Sequence, residues 1–162
     1  MQLLVTDAGP LIALSVAGVL PVTWECFDLL VPQAVLDECL ADPYSPGAVP
    51  IVDALLQQQL TVVPTAAIIP LDAAYAMGMG SGEAAVLGYA AQHEQVALID
   101  ERRARRIAQR LGVQVVGSGA VLLALKSQGL ISSVQTVLAA WQAHGYYLTP
   151  ELRAELLVRA GE

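Results

Sequence analysis

The chain has 162 residues, 56% of them hydrophobic and only 14% charged, which excludes a disordered polypeptide and suits one domain with a single core. Its formal net charge of −7 argues against a broad electropositive face for nucleic acid but not against a local one, since five of the eight basic residues fall within nine positions, 102–110. Cys26 and Cys39 are too few for a disulfide framework or a metal knuckle and read as core filler in a reducing cytoplasm.

The amino terminus has no basic stretch, and Asp7, Gly9 and Pro10 interrupt its apolar residues, so no targeting segment is read there. Leu3-Leu4-Val5-Thr6 predicts a strand over 2–6 that Asp7 closes. Pro10 suits the first turn of a helix running towards Ala17 and ended by Gly18. A second strand over 28–31 leads to Pro32, which opens a helix from Gln33 to Leu40 bearing Glu38. Residues 43–50 hold three prolines and a glycine and read as an exposed loop. A third strand is expected over 60–63. The charge-free stretch 54–71 contains Pro64, Pro70 and three glutamines, a poor membrane span. Ser81 suits the N-cap of a helix over Glu83 to Gln92. A fourth strand, 96–99, is closed by Asp100, which reads as the N-cap of a helix over 101–111 ended by Gly112. A fifth strand over 113–116 and helices over 117–126, 133–143 and from Thr149-Pro150 through Arg159 complete the chain.

Strands that are apolar throughout, separated by helices, predict a parallel sheet of about five strands buried between helical layers, a three-layer α/β/α fold over residues 1–162. If the winding reverses once, strands 1 and 4 become neighbours, and Asp7 and Asp100 meet at the carboxyl ends of adjacent strands. Glu38 and Glu83, on helices, are close enough in sequence order to lean into the same cleft. Acids converging there without a cysteine or histidine cluster suit a hard divalent cation.

Each acid also has an ordinary structural role open to it. Asp7 serves equally as a cap for the helix at Pro10 or as a metal ligand. Asp100 reads first as an N-cap, and Glu101 as a ligand in its place or a first-turn acid. Glu83 stands on an otherwise small, apolar helix and needs a partner. Glu38, beside Asp37 and Asp42, belongs by default to a solvated helix end. Arg102, Arg103, Arg105 and Arg106 read as a solvated face, with a phosphate clamp as the alternative. Gly78-Met79-Gly80-Ser81-Gly82 follows no strand and has no base beside it, which argues against a dinucleotide turn. His93 and His144 stand apart from any nucleophile motif, so a catalytic triad has no support.

The segment Val5-Thr6-Asp7-Ala8-Gly9-Pro10-Leu11-Ile12-Ala13-Leu14 resembles the opening of PIN-domain proteins, specifically a prokaryotic PIN-like family related to VapC-type toxin ribonucleases. Val31-Pro32-Gln33-Ala34-Val35-Leu36-Asp37-Glu38 resembles its second acidic motif, Gly80-Ser81-Gly82-Glu83-Ala84-Ala85-Val86 its third and Leu98-Ile99-Asp100-Glu101-Arg102-Arg103-Ala104-Arg105 its fourth. The tail from Ala143-His144-Gly145-Tyr146-Tyr147-Leu148-Thr149 to Gly161 resembles that family's carboxyl end, so the likeness spans nearly the whole chain. It implies acids collecting one or two Mg²⁺ or Mn²⁺ ions, RNA as substrate and a small antitoxin as partner. Three departures bear on metal affinity and turnover: Gly9 stands where the family often has serine, Ser81 and Ala85 replace neighbouring acids, and Glu101 replaces a second aspartate.

Residues and resemblance together predict a metal-dependent endoribonuclease-like PIN domain. Asp7 and Asp100 are the expected direct ligands, Glu83 a third ligand or orienting group, and Glu38 the holder of a second metal or of water. Thr6 is expected to donate a hydrogen bond in support of Asp7. The alternative is a catalytically weak PIN-like interaction module whose acids bind metal structurally; a phosphatase-like or nucleotide-binding domain lacks its phosphate loop and its Asp-x-Asp. The high apolar content further predicts a homodimer through Val121-Leu122-Leu123 and Val137-Leu138-Ala139-Ala140-Trp141.

Overall fold

The computed structural model describes residues 1–65 and 69–162. Strands β1 (Gln2–Thr6), β2 (Phe27–Pro32), β3 (Thr61–Val63), β4 (Val96–Leu98) and β5 (Val115–Val116) form one sheet in the order β3-β2-β1-β4-β5, with every pair parallel. The chain winds outward from β1 to β3, then returns to the other side of β1, so the strand order reverses between β1 and β4. Adjacent residues towards the carboxyl ends of the central strands, Leu4 with Val5 and Ala97 with Leu98, are buried together, because helices cover both faces. The fold is the expected PIN-like α/β/α arrangement.

Helices α1 (Ala8–Val16), α3 (Gln33–Cys39), α6 (Ser81–His93), α7 (Arg102–Arg110), α8 (Ser118–Ser127), α9 (Val134–Ala143) and α10 (Pro150–Ala160) lie where the sequence predicts helices. Three others do not: α2 (Leu20–Thr23), α4 (Ala48–Leu56) and α5 (Leu71–Ala76). The expected loop over 43–50 therefore ends early. Pro50 lies in the first turn of α4, where a missing N–H costs nothing, and Ser15 Oγ donates to Gly47 O at 2.7 Å to fix the helix start on α1.

Two caps also differ from expectation. Gly80, extended at φ −74°, is the N-cap of α6, and Ser81 is its first helical residue. Glu101 caps α7, accepting from Ala104 N–H at 2.7 Å, which releases Asp100 for other partners. Ser133 and Thr149 cap α9 and α10 through their hydroxyls. Glu162 reinforces the first of these, accepting from Val134 N–H at 2.6 Å and from Lys126 Nζ at 2.8 Å.

The carboxyl-terminal apolar runs close the chain's own core. Val121, Leu122, Val137, Leu138 and Trp141 are all buried, and the Trp141 indole donates to Ala13 O at 2.8 Å. Most of the surface expected to form a dimer is thus covered within the chain, while Ala139 is exposed and Leu123 and Ala140 are half-buried. Large apolar side chains that remain exposed include Val49, Val52 and Leu56 on α4, Tyr147 and Leu152 around the start of α10, and Tyr44 and Val158. Among the described residues no helix is long and apolar enough to cross a membrane.

Candidate active site

Asp7 follows β1 at the point where the strand order reverses. Pairing of Thr6 with Leu98 brings the ends of β1 and β4 level, and Asp7 N–H donates to Leu98 O at 3.0 Å. Asp7 occupies the N-cap position of α1, but its carboxylate makes no capping hydrogen bond. The residue is only 8% exposed. Burial, with the charges of Glu83, Glu38 and Asp100 adding to it, pushes its carboxyl up to about 7, against the opposing pull of the Ala8 amide. Among the described residues no lysine, arginine or histidine forms an ion pair with it.

Glu38 reaches Asp7 from α3 across a gap held open by glycine. A Cβ on Gly82 would stand 2.8 Å from Glu38 Oε2 and 3.9 Å from Asp7 Oδ1. The missing side chain lets α6 approach α3 and lets two carboxylates share one neighbourhood. Glu83, half-buried, turns back to accept from Gly80 N–H at 3.3 Å. Its burial, together with Glu101 and Glu38, raises its pKa, while the Gly80 amide and Arg103 lower it.

Asp100 is held more firmly than any other acid of the group. Its Oδ1 accepts from Ser118 N–H at 2.7 Å, at the start of α8, and its Oδ2 accepts from Ser118 Oγ at 2.6 Å and Tyr146 OH at 2.5 Å. The Tyr146 ring packs against Trp141 with centroids 5.4 Å apart, and its hydroxyl lies 3.6 Å from where a Gly9 Cβ would be. Burial and the Asp100 charge push the Tyr146 phenol pKa upward, so the hydroxyl remains a donor. The acid is fixed, the donors are neutral, and the helix start adds its partial positive charge.

Thr6 acts on the backbone and not on a carboxylate: its hydroxyl donates to the Asp7 carbonyl oxygen at 3.0 Å. Glu101 is occupied as the cap of α7. The arginines separate. Arg105 Nη1 donates to Ile99 O at 3.1 Å, and Arg103 lies over Gly78, where any Cβ would overlap its guanidinium. Arg102 lines the cleft beside the acids, while Arg106 flanks Val113 and Val115 away from them. Burial, reinforced by Glu38 and Asp7, pushes the Cys39 thiol up to about 12, so this cysteine is neutral packing material.

A cleft of about 550 Å³ opens beside Asp7 and Asp100, bounded also by Ser118, Tyr146, Tyr147 and Arg102. Glu38 and Glu83 do not line it; they approach Asp7 from the α3–α6 side. Asp7 thus stands between Asp100 on one side and Glu38 and Glu83 on the other. Among the described residues no three His, Cys, Asp or Glu side chains close on a single point as a ready-made metal cage.

Sequence reasoning missed Ser118 and Tyr146. Ser118 follows β5 at its carboxyl end, the same positional signal that marks Asp7 and Asp100. Tyr146 gave no such signal, because only the packing of Trp141 against α1 delivers it to the site.

A family model described as a PIN domain matches residues 3–162. No curated protein matches the chain. With that match covering nearly all of its length, and with a parallel sheet whose single reversal carries the acids, the chain belongs to the PIN-domain family of nuclease-type domains.

Proposed function

We propose that this PIN domain is a metal-dependent endoribonuclease using Mg²⁺ or Mn²⁺, and that Asp7, Glu38, Glu83 and Asp100 are its catalytic acids. One observation carries the proposal: a nearly buried Asp7 carboxylate stands in the repulsive field of Glu83, Glu38 and Asp100 and has no cationic side chain paired with it among the described residues. Mutual repulsion of that kind destabilises the fold unless a cation offsets it.

The donors fit the ion. They are all carboxylate oxygens, which suit Mg²⁺ or Mn²⁺ and not a soft metal. For Mg²⁺ one or two carboxylates suffice, and waters and substrate phosphates complete the shell. Asp7 and Asp100 are the residues to hold it, with Glu83 as the third candidate. When bound, such an ion lowers the pKa of water and offsets charge on a phosphate. Ser118 and Tyr146 keep the Asp100 carboxylate in one orientation. Glu38 and Glu83 supply acceptors for water on the far side of Asp7, and Arg102 and Arg105 are placed at the cleft to meet phosphate oxygens. The family resemblance extends the reading to the toxin of a toxin–antitoxin pair, with an antitoxin as partner.

The alternative, a metal-binding interaction module with little turnover, draws on Asp100, whose two oxygens already have three donors. Incubation of varied RNAs with the full chain in Mg²⁺ or Mn²⁺ separates the two. Cleavage that stops in chelator and in Asp7→Asn is the expected result. Cleavage that persists in either condition overturns the mechanism, and thermal stabilisation by metal without cleavage of any RNA favours the module.

A further inference from the structure

We infer that the cleft beside Asp7 and Asp100 receives one unstacked nucleobase of a single-stranded RNA, with Tyr147 as its stacking platform; the identity of the polymer rests on the ribonuclease reading above. At about 550 Å³ the cleft has the size of a small-ligand site. It can take a splayed-out nucleotide, whereas a base-paired stem keeps its bases stacked and inaccessible.

Its lining is mixed in the way that a nucleotide requires. Tyr147 is 73% exposed and Leu152 41% exposed, two large apolar surfaces that the core does not use. Four carboxylates (Asp7, Asp100, Glu101 and Glu155) and three guanidiniums (Arg102, Arg105 and Arg159) share the cleft. Acids and guanidiniums are nearly balanced along the cleft, so its apolar surfaces are left for a neutral group and its guanidiniums for phosphate. The neutral base enters, and the phosphates on either side remain with the guanidiniums. Three of the four acids already have partners: Glu101 caps α7, Glu155 lies 3.6 Å from Arg159, and Asp100 accepts from Ser118 and Tyr146. Asp7, with the fixed carboxylate of Asp100 beside it, stands at the adjoining phosphate, so a base held on Tyr147 fixes which phosphodiester meets the acids. Stacking on a tyrosine accepts any base, which predicts selection for single strands more than for sequence.

Fluorescence anisotropy with a labelled eight-nucleotide single-stranded RNA and a hairpin of matched stem sequence tests this. Binding is measured with the wild-type chain in EDTA and with Asp7→Asn in millimolar Mg²⁺. Tyr147→Ala should raise the Kd for the single strand about tenfold, the effect of losing one stacked base, and leave hairpin binding unchanged, while Tyr147→Phe restores the wild-type value. Tyr147 is exposed, so the substitution leaves the core intact. An unchanged single-strand Kd in Tyr147→Ala, hairpin binding as tight as single-strand binding, or no binding at tens of micromolar in both conditions overturns the inference. Metal-dependent cleavage scored separately keeps the two readings apart. Tyr147-dependent binding without cleavage removes the nuclease reading alone, and Asp7-dependent cleavage indifferent to Tyr147 removes the base site alone.

Discussion

The Tyr146 hydroxyl donates to Asp100 Oδ2 at 2.5 Å, joining residues 46 positions apart and tying the segment after α9 to the end of β4. Trp141 makes this possible, since its buried ring backs Tyr146 and its indole is anchored on Ala13 O. Tyr146→Phe keeps the ring and removes only the donor. Ser118 still supplies two hydrogen bonds, so the expected loss is one charged hydrogen bond, about 1.5 kcal/mol in urea denaturation. Loss of an orienting donor should also lower metal-dependent RNA cleavage about tenfold. A Tyr146→Phe protein equal to wild type in both measurements would show that the contact does not position Asp100.

The parts of this arrangement set by local chemistry were legible in the sequence. Leu3-Leu4-Val5-Thr6-Asp7 and Val96-Ala97-Leu98 read as buried strands ending in acids, because a strand covered on both faces is apolar throughout. Helix α4 was not legible, because Pro46, Gly47 and Pro50 look like breakers, although a proline in the first turn breaks nothing. Asp100 and Glu101 are neighbours with the same chemistry, and only the position of Ser118, 18 residues on, decides which of them caps α7. The apolar carboxyl-terminal runs suggested a partner subunit because composition does not say which surface covers which.

Glu101 and Asp100 can be told apart by substitution. Glu101→Ala removes the acceptor for Ala104 N–H and should cost about 1 kcal/mol of stability, the usual loss for an N-cap. Cleavage at a temperature where both proteins are folded should change less than threefold, an effect on the order of 0.6 kcal/mol in barrier. Asp100→Asn should abolish it. If Glu101→Ala loses cleavage to the same extent as Asp100→Asn, Glu101 is acting at the metal and its cap is incidental.

Gly82 offers a test in which stability and activity should move in different directions. An added Cβ would lie 2.8 Å from Glu38 Oε2, and Glu38 is exposed and free to swing away, whereas Val35 at 3.4 Å is an ordinary contact. Gly82→Ala should therefore fold, with a gain of up to about 1 kcal/mol from helix propensity. It should also move the Glu38 carboxylate away from Asp7 and reduce cleavage. Wild-type cleavage rates in a Gly82→Ala protein of equal or greater stability would mean that Glu38 has no part in the reaction.

The last prediction follows from the raised carboxyl of Asp7, near 7 in the fold against 3.8 for an unperturbed aspartate. The folded state keeps its proton where the unfolded state has lost it, so between pH 3.8 and 7 the native chain binds more protons and stability falls as pH rises. The contribution is fully present below about 4 and gone above about 7. A displacement of this size corresponds to roughly 4 kcal/mol across that window. Glu83, also raised, adds a slope of the same sign. Wild type and Asp7→Asn, compared by chemical denaturation in EDTA from pH 4 to 8, isolate the Asp7 part: the variant should be relatively more stable the higher the pH. Above pH 7 the ionised Asp7 becomes available as a ligand, so the stabilisation of wild type by millimolar Mg²⁺ should grow across the same midpoint and be much reduced in Asp7→Asn. A wild-type-minus-variant difference that stays flat with pH would show that Asp7 ionises as an ordinary aspartate, and the repulsion that calls for a cation would then be absent.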